Sequence, residues 1–208
     1  MSTGENSSTF FALLRHGRTV WNEQKRIQGR QNSPLVSAAG PVITAWGRQL
    51  AELSFTRILV SSLGRAKETA RLVNLTLNLP MTEDPRLVEQ DWGEWTGRTL
   101  KSIKQEDSVR LAEQEAAGWG FRPPGGEDRR QVLRRSTQAL LDARGQWLGE
   151  RILVVTHEGV IKSLLYGLTG RKFLPSEPKM IKDGFVHFLN ADANGLTLEQ
   201  PNALKLKP

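Results

Sequence analysis

Three short runs of the chain are rich in β-branched and other apolar residues: Phe10 to Leu14, Arg57 to Ser61 (RILVS) and Arg151 to Thr156 (RILVVT). None alternates strictly between apolar and polar positions, so each predicts a strand buried on both faces. Behind each run the periodicity changes from strand-like to helical. Val42, Trp46, Leu50 and Leu53 share one helical face, and so do Ala66, Ala70, Val73 and Leu77. Val132, Ser136, Ala139, Leu140, Ala143 and Trp147 form a longer stripe, and Val160, Ile161, Leu164, Leu165 and Leu168 form another. Strands alternating with helices predict an α/β fold of three layers, a mostly parallel sheet with helices on both faces.

The middle of the chain breaks this rhythm. Residues 85–126 carry Trp92, Trp95 and Trp119, several glycines and the turn-forming Pro123-Pro124-Gly125-Gly126. This stretch predicts a helical insertion that covers a site. Two of its tryptophans are expected to pack the insertion onto the sheet. Near the end, Gly184–Asn190 and Leu196–Gln200 flank Ala191 to Gly195, the pattern of a β-hairpin or a pair of edge strands. No internal repeat, low-complexity tract or linker divides the chain. Residues 1–9 are polar and read as a disordered lead-in, with a single domain over 10–208.

Length and composition narrow the class. A chain of 208 residues suits one domain with a substantial core. No apolar run approaches the ~20 residues of a membrane helix. The start of the chain lacks a basic-then-apolar signal pattern, and there is no cysteine, so a cytoplasmic protein is expected. Absent cysteine also excludes disulfides, thiol nucleophiles and cysteine metal sites. The net charge of +7 favours anionic partners, nucleic acid or phosphorylated small molecules. Its basic residues are spread out, and the densest group, Arg129 to Arg135, reads as a solvated helix face. A small phosphorylated substrate is therefore expected, with no nucleic acid or membrane partner, and a monomer or homodimer.

The chemistry concentrates where the strands end. Phe10–Leu14 runs into Arg15-His16-Gly17, RILVS into Ser62-Leu63-Gly64-Arg65, and RILVVT into His157-Glu158-Gly159. Ligands of open α/β sheets bind outside the carboxyl ends of the strands, so two of the three histidines and two arginines should converge there. Arginine grips two phosphate oxygens at once. Unprotonated histidine is a nucleophile near neutral pH. A second histidine can donate to a phosphoryl oxygen, completing a clamp that needs no metal.

The local sequences then match a known pattern. Leu14-Arg15-His16-Gly17-Arg18-Thr19-Val20-Trp21-Asn22 resembles the signature of the histidine phosphatase superfamily, phosphoglycerate mutase-like branch. Arg26-Ile27-Gln28-Gly29 and Ser33-Pro34-Leu35 resemble its following loop, and Ser61 to Ala70 its second arginine motif. Leu87-Val88-Glu89 with Gly93-Glu94-Trp95-Thr96-Gly97 resembles its acid motif. Gly125-Gly126-Glu127 and Val155 to Gly159 complete the set in family order. The resemblance implies the phosphoglycerate mutase-like fold and a set of roles. His16 would attack phosphorus, with Arg15, Arg65 and His157 holding the non-bridging oxygens. Glu89 would be the proton donor, Glu94 ranking behind it. Asn22, Gln28, Gly29 and Thr19 would add substrate contacts. No metal or cofactor is implied. The chain departs from the family at Arg18, Asn32, Thr96 and Glu158. None of these removes a catalytic atom, but Arg18 and Glu158 reshape the charge of the pocket.

Other motifs fail. His157-Glu158 begins a zinc-helix pattern, but position 161 is Ile rather than the second ligand. No nucleophile elbow surrounds Ser61-Ser62. His187 alternates with polar neighbours and reads as structural or surface on an edge strand. The resemblance covers both mutases and phosphatases. A short stretch between Glu89 and Gly125 should leave the phosphoenzyme open to water, so the expected reaction is hydrolysis of a phosphomonoester. Phosphoglycerate mutase is the alternative, with a non-catalytic binding protein behind it.

Overall fold

A computed structural model describes residues 8–208. The first three strands expected are β1 (Thr9–Arg15), β2 (Arg57–Ser61) and, after an additional edge strand β3 (Met81–Asp84), β4 (Arg151–Thr156). A hairpin of β5 (Phe185–Asp192) and β6 (Gly195–Lys205) completes one sheet in the order β3-β2-β4-β1-β5-β6. The four strands from β3 to β1 run parallel, and the hairpin adds to β1 antiparallel. β3 escapes an apolar-run search because Met-Thr-Glu-Asp lies at the sheet edge and only Asp84 is buried.

Alternation along the buried strands divides two cores. Phe10, Ala12 and Leu14 of β1 face one layer, with Leu153 and Val155 of β4. Phe11 and Leu13 face the other, with Ile152 and Val154. After the one-turn helix α1 (Val20–Glu23), the first layer is closed by α2 (Ala39–Ala51) and α3 (Gly64–Leu77), the second by α6 (Arg129–Gln146) and α7 (Glu158–Leu168). Each fully buried Leu or Val in these layers contributes roughly 1.5–3 kcal/mol through removal of apolar surface from water. The stripe of α2 is rotated from its expected position. Ile43, Gly47 and Leu50 are buried, while Val42 and Trp46 lie on its flank. Gly47 allows this, because a side chain there would press on the Val73 carbonyl and Thr76 of α3.

The insertion is helical as expected, with α4 (Leu100–Glu106), α5 (Ser108–Ala116) and short 3-10 turns. Trp95, Ile103, Leu111 and Phe121 form its own small core, with Trp92 packed against it. No helix among the described residues is long and apolar enough to cross a membrane.

Two expectations are corrected. Most of the expected lead-in, residues 1–7, lies outside the described residues, but Thr9 already belongs to β1 and is fully buried. Its hydroxyl donates to the Trp147 carbonyl. His187 is not on an edge, since β5 lies between β1 and β6. It is buried, and its Nδ1 accepts the Asn202 N–H at 3.0 Å where the β5–β6 register shifts.

Candidate active site

Parallel pairing of β1 with β4 sets Arg15 opposite Thr156, so His16 and His157 both lie one residue beyond the paired segment. The His16 N–H donates to the Thr156 carbonyl at 3.0 Å, which extends the ladder by one bond. The two imidazole centroids are 5.2 Å apart. Arg65, from the first turn of α3, reaches between the strands and is 2% exposed. His16 and Arg65 lie 49 residues apart in sequence, and the parallel register of β1, β4 and β2, with α3 following β2, brings the three side chains together.

Hydrogen bonding fixes the state of His16. Its Nδ1 lies 2.8 Å from the Gly17 carbonyl, which can only accept, so the ring proton belongs on Nδ1. Nε2 then carries the lone pair, and it accepts from Arg65 Nε at 3.2 Å. Burial, with Arg65 and Arg15 nearby, pushes the His16 pKa down to about 3. The ring is thus neutral at any ordinary pH.

The other donors are equally constrained. Arg65 Nη2 donates to the Gly29 carbonyl at 2.8 Å and Nη1 to the Gln31 carbonyl at 2.7 Å. Gly29 has φ +51°, a left-handed backbone, and a side chain there would crowd Thr96 and Trp92. His157 Nε2 is 2.7 Å from Ser61 Oγ, and its Nδ1 is buried without a partner among the described residues. Burial, then the nearby His16 and arginines, holds His157 well below the ordinary imidazole pKa. Arg15 pairs with Glu158 at 2.7 Å and with Asp183 at 3.4 Å, while Glu158 also meets Lys162 at 3.2 Å.

Glu89 follows the 3-10 turn Pro85–Leu87 and lines the same pocket. Its carboxylate accepts the N–H groups of Gln90 at 2.7 Å and Gly159 at 3.2 Å. Burial nevertheless raises its pKa, helped by the Glu158 charge and opposed by those two N–H groups and Arg65. Arg135 fastens this loop, donating to the Arg86 and Glu89 carbonyls and to Glu127. The pocket measures about 340 Å³; its walls include Arg15, His16, Asn22, Gln28, Arg65 and Glu89. Its far end adds Trp92, Leu100, Arg129 and Phe173. Among the described residues no group of three or more His, Asp or Glu is placed to hold a metal ion.

Residues 11–203 match the family described as the histidine phosphatase superfamily, branch 1. The chain belongs to the histidine phosphatase superfamily. It is 33% identical over 159 residues to a probable phosphoglycerate mutase, GpmB, of Salmonella choleraesuis, which covers 75% of this chain and 74% of that one. Among solved structures it resembles YhfR of Bacillus stearothermophilus, with TM-score 0.84, 30% identity, and coverage of 94% of this chain and 98% of that one. It also resembles a mycobacterial glucosyl-3-phosphoglycerate phosphatase complexed with VO3, with TM-score 0.80, 26% identity, and coverage of 94% and 99%.

In this member of the superfamily, most of the residues expected at the site converge on one pocket. His157 stands fully buried behind the wall, its ring 5.2 Å from that of His16, and is not part of the lining. Thr19 does not line the pocket either. It is fully buried, and its hydroxyl and N–H both donate to Asn22 Oδ1 at 3.0 Å. This fixes the Asn22 side chain, so Thr19 positions a lining residue instead of forming part of the wall. Glu94 is likewise absent from the lining. Sequence reasoning missed Gly159 as a site determinant, although any side chain there would collide with the Glu89 carboxylate. It also missed Ser61 and Arg135. Ser61 lay inside a quoted motif, but only the fold reveals that it faces His157.

Proposed function

We propose that this chain is a metal-independent phosphatase that hydrolyses a small-molecule phosphomonoester through a phosphohistidine on His16. The observation that carries this reading is the fixed tautomer of His16, with Nδ1–H on Gly17 and a neutral Nε2 turned toward Arg65. Nε2 attacks phosphorus as the bond to the ester oxygen breaks. The departing oxygen takes the proton of Glu89, whose acid form is favoured by burial. Arg15, Arg65 and the unpartnered His157 Nδ1 hold the three non-bridging oxygens, and the two guanidiniums neutralise charge as a metal would. Water then attacks the phosphohistidine, Glu89 accepts its proton, and inorganic phosphate leaves with His16 restored. Asn22, Gln28 and Gly29 complete the cradle, and no cofactor takes part. The lack of cysteine suits a reducing compartment, in keeping with a cytoplasmic location.

Hydrolysis over transfer is favoured by the insertion, which has only two short helices to shield a phosphoenzyme. The mutase reading has the GpmB resemblance on its side. The two separate on the fate of the phosphoryl group. With p-nitrophenyl phosphate in EDTA, the wild type should release phosphate and His16→Ala should not. Equal rates in the two proteins would sink the histidine mechanism. Interconversion of phosphoglycerates with little free phosphate would establish the mutase instead.

A further inference from the structure

The far end of the pocket holds a cation that the reaction above does not use. Arg129 opens α6, and its guanidinium carbon lies 4.1 Å from the Phe121 ring centroid and 4.5 Å from that of Phe173. Nη1 donates to the Gly118 carbonyl at 2.9 Å and, more distantly, to that of Phe173 at 3.5 Å. Two flanking rings and a tied nitrogen fix the plane of the group. Only its N–H edge is left to meet a ligand.

Around His16 the other pocket cations are already committed. Arg15 and Lys162 share Glu158, and Arg65 spans two loop carbonyls. Arg129 has no carboxylate at ion-pair distance among the described residues; Glu115 acts on it only from farther away. Burial pushes its pKa down to about 10, which leaves it charged at neutral pH. Arg129 is half-buried, and a partly desolvated cation without a counterion costs the fold stability. A second cost sits beside it. Phe173 holds φ +62°, a left-handed backbone that an aromatic residue rarely adopts. Its ring packs on Trp119 and Tyr166, at 4.6 and 4.4 Å between centroids, and lines the pocket. Strain and a half-buried charge without a counterion at one end of a pocket are the marks of a ligand site.

We propose that this end is an anion subsite, where the Arg129 N–H edge binds a second anionic oxygen group on the leaving portion of the substrate. The group is a carboxylate or a further phosphate, both of which match the arginine fork. Trp92 and Phe173 flank the carbon skeleton between the two anions, and the exposed Arg26 adds a cation at the rim. The inference rests on the phosphatase reading for the orientation of the substrate, but its test does not need turnover.

The test measures binding in the His16→Ala protein, which holds esters without consuming them. Three ligands share a three-carbon skeleton: glycerol 3-phosphate, 3-phosphoglycerate and glycerol 1,3-bisphosphate. By calorimetry, at least one doubly anionic ligand should bind about 10- to 100-fold tighter than glycerol 3-phosphate, the range of a charge-assisted hydrogen bond. The ligand that gains identifies the subsite as one for carboxylate or for phosphate. Adding Arg129→Met should bring that ratio to within about threefold of one. Should the methionine variant not fold, Arg129→Lys, which keeps the charge but not the fork, should still lower the ratio severalfold. A ratio near one before substitution, or an unchanged ratio in the folded variants, would overturn the subsite. A preference that Arg129→Met erases, in a wild type that hydrolyses no ester, would keep the subsite and discard the phosphatase reading.

Discussion

The two ends of the active-site pocket are made from different kinds of chain. At the phosphoryl end, Arg15, His16, Arg65 and His157 come from strand ends and the first turns of helices. Each is held by backbone groups or by another site residue, as with Gly17 on His16 and Gly29 and Gln31 on Arg65. At the far end, Trp92, Leu100, Arg129 and Phe173 come from four separate segments, mostly insertion and loop. Here ring packing dominates: Arg129 lies between Phe121 and Phe173 and is tied to the Gly118 carbonyl, and Phe173 holds a strained backbone. On the proposed reading, the end built on strand termini sets the chemistry and the end built from insertion and loop sets the leaving group.

If that division is right, changes at the phosphoryl end should act on kcat and changes at the far end on KM. The largest effect belongs to His16→Ala, expected to lower kcat/KM on p-nitrophenyl phosphate by about 10⁴-fold or more, as for loss of other covalent nucleophiles. Glu89→Gln should lower it by about 10²–10⁴-fold on esters with poor leaving groups. The loss should be smaller with p-nitrophenol, which needs little protonation. An equal loss on both would argue against proton donation by Glu89. Gly159→Ala should displace the Glu89 carboxylate and produce a milder form of the same leaving-group dependence, about 10-fold. At the other end, Trp92→Ala should raise KM by a few-fold and leave kcat within about twofold, the pattern of lost uniform binding. A fall in kcat as large as that in Gly159→Ala would erase the distinction between the two ends.

The pH dependence tests the phosphoryl end as a whole. With the His16 pKa near 3, its protonation should not limit kcat/KM at pH 4 or above. Activity should instead be lost on the alkaline side, as pH rises through the raised pKa of Glu89. An acid limb near 6.5 that follows His16 rather than the substrate would contradict the buried, neutral ring. Stability has the same origin. His16, His157 and His187 are all neutral when folded but titrate near 6.5 when unfolded. The unfolded chain therefore binds more protons as pH falls from 6.5 toward 4. Each histidine removes up to about 1.4 kcal/mol per pH unit in that window. Glu89, with its folded pKa raised, offsets part of this at the low end. Thermal melts should show a falling Tm from pH 6.5 to 4, and a flat Tm would place these rings in water.

The same division governs what could be read from the sequence. The phosphoryl end was legible because a buried strand followed by Arg-His-Gly or His-Glu-Gly is a local pattern, and parallel register converts local positions into one site. The three-layer core was legible from continuous apolar runs and helical stripes. Glu89 was reachable only through family resemblance, because no periodicity marks a carboxylate after a 3-10 turn. The far end was not legible. Arg129 sits in a run of basic residues that looks like a solvated helix face, and only tertiary packing between Phe121 and Phe173 sets it apart from Arg130 and Arg134. Thr19 shows the converse error: it lies within the signature motif, yet it acts through Asn22. His187 is a warning of another kind, since it too is buried with a lowered pKa, as His16 and His157 are, but spends its lone pair on Asn202.

Arg65 ties the Gly29–Gln31 loop to α3 with the same guanidinium that touches His16. Any substitution there would loosen a piece of wall and unclothe a lone pair at once. Arg65 is therefore a poor choice for apportioning charge stabilisation by mutagenesis, because two losses would arrive under one number. A guanidinium supplied from solution to an Arg65→Ala protein would tell them apart: recovered turnover would report the charge, and whatever failed to recover would report the seam.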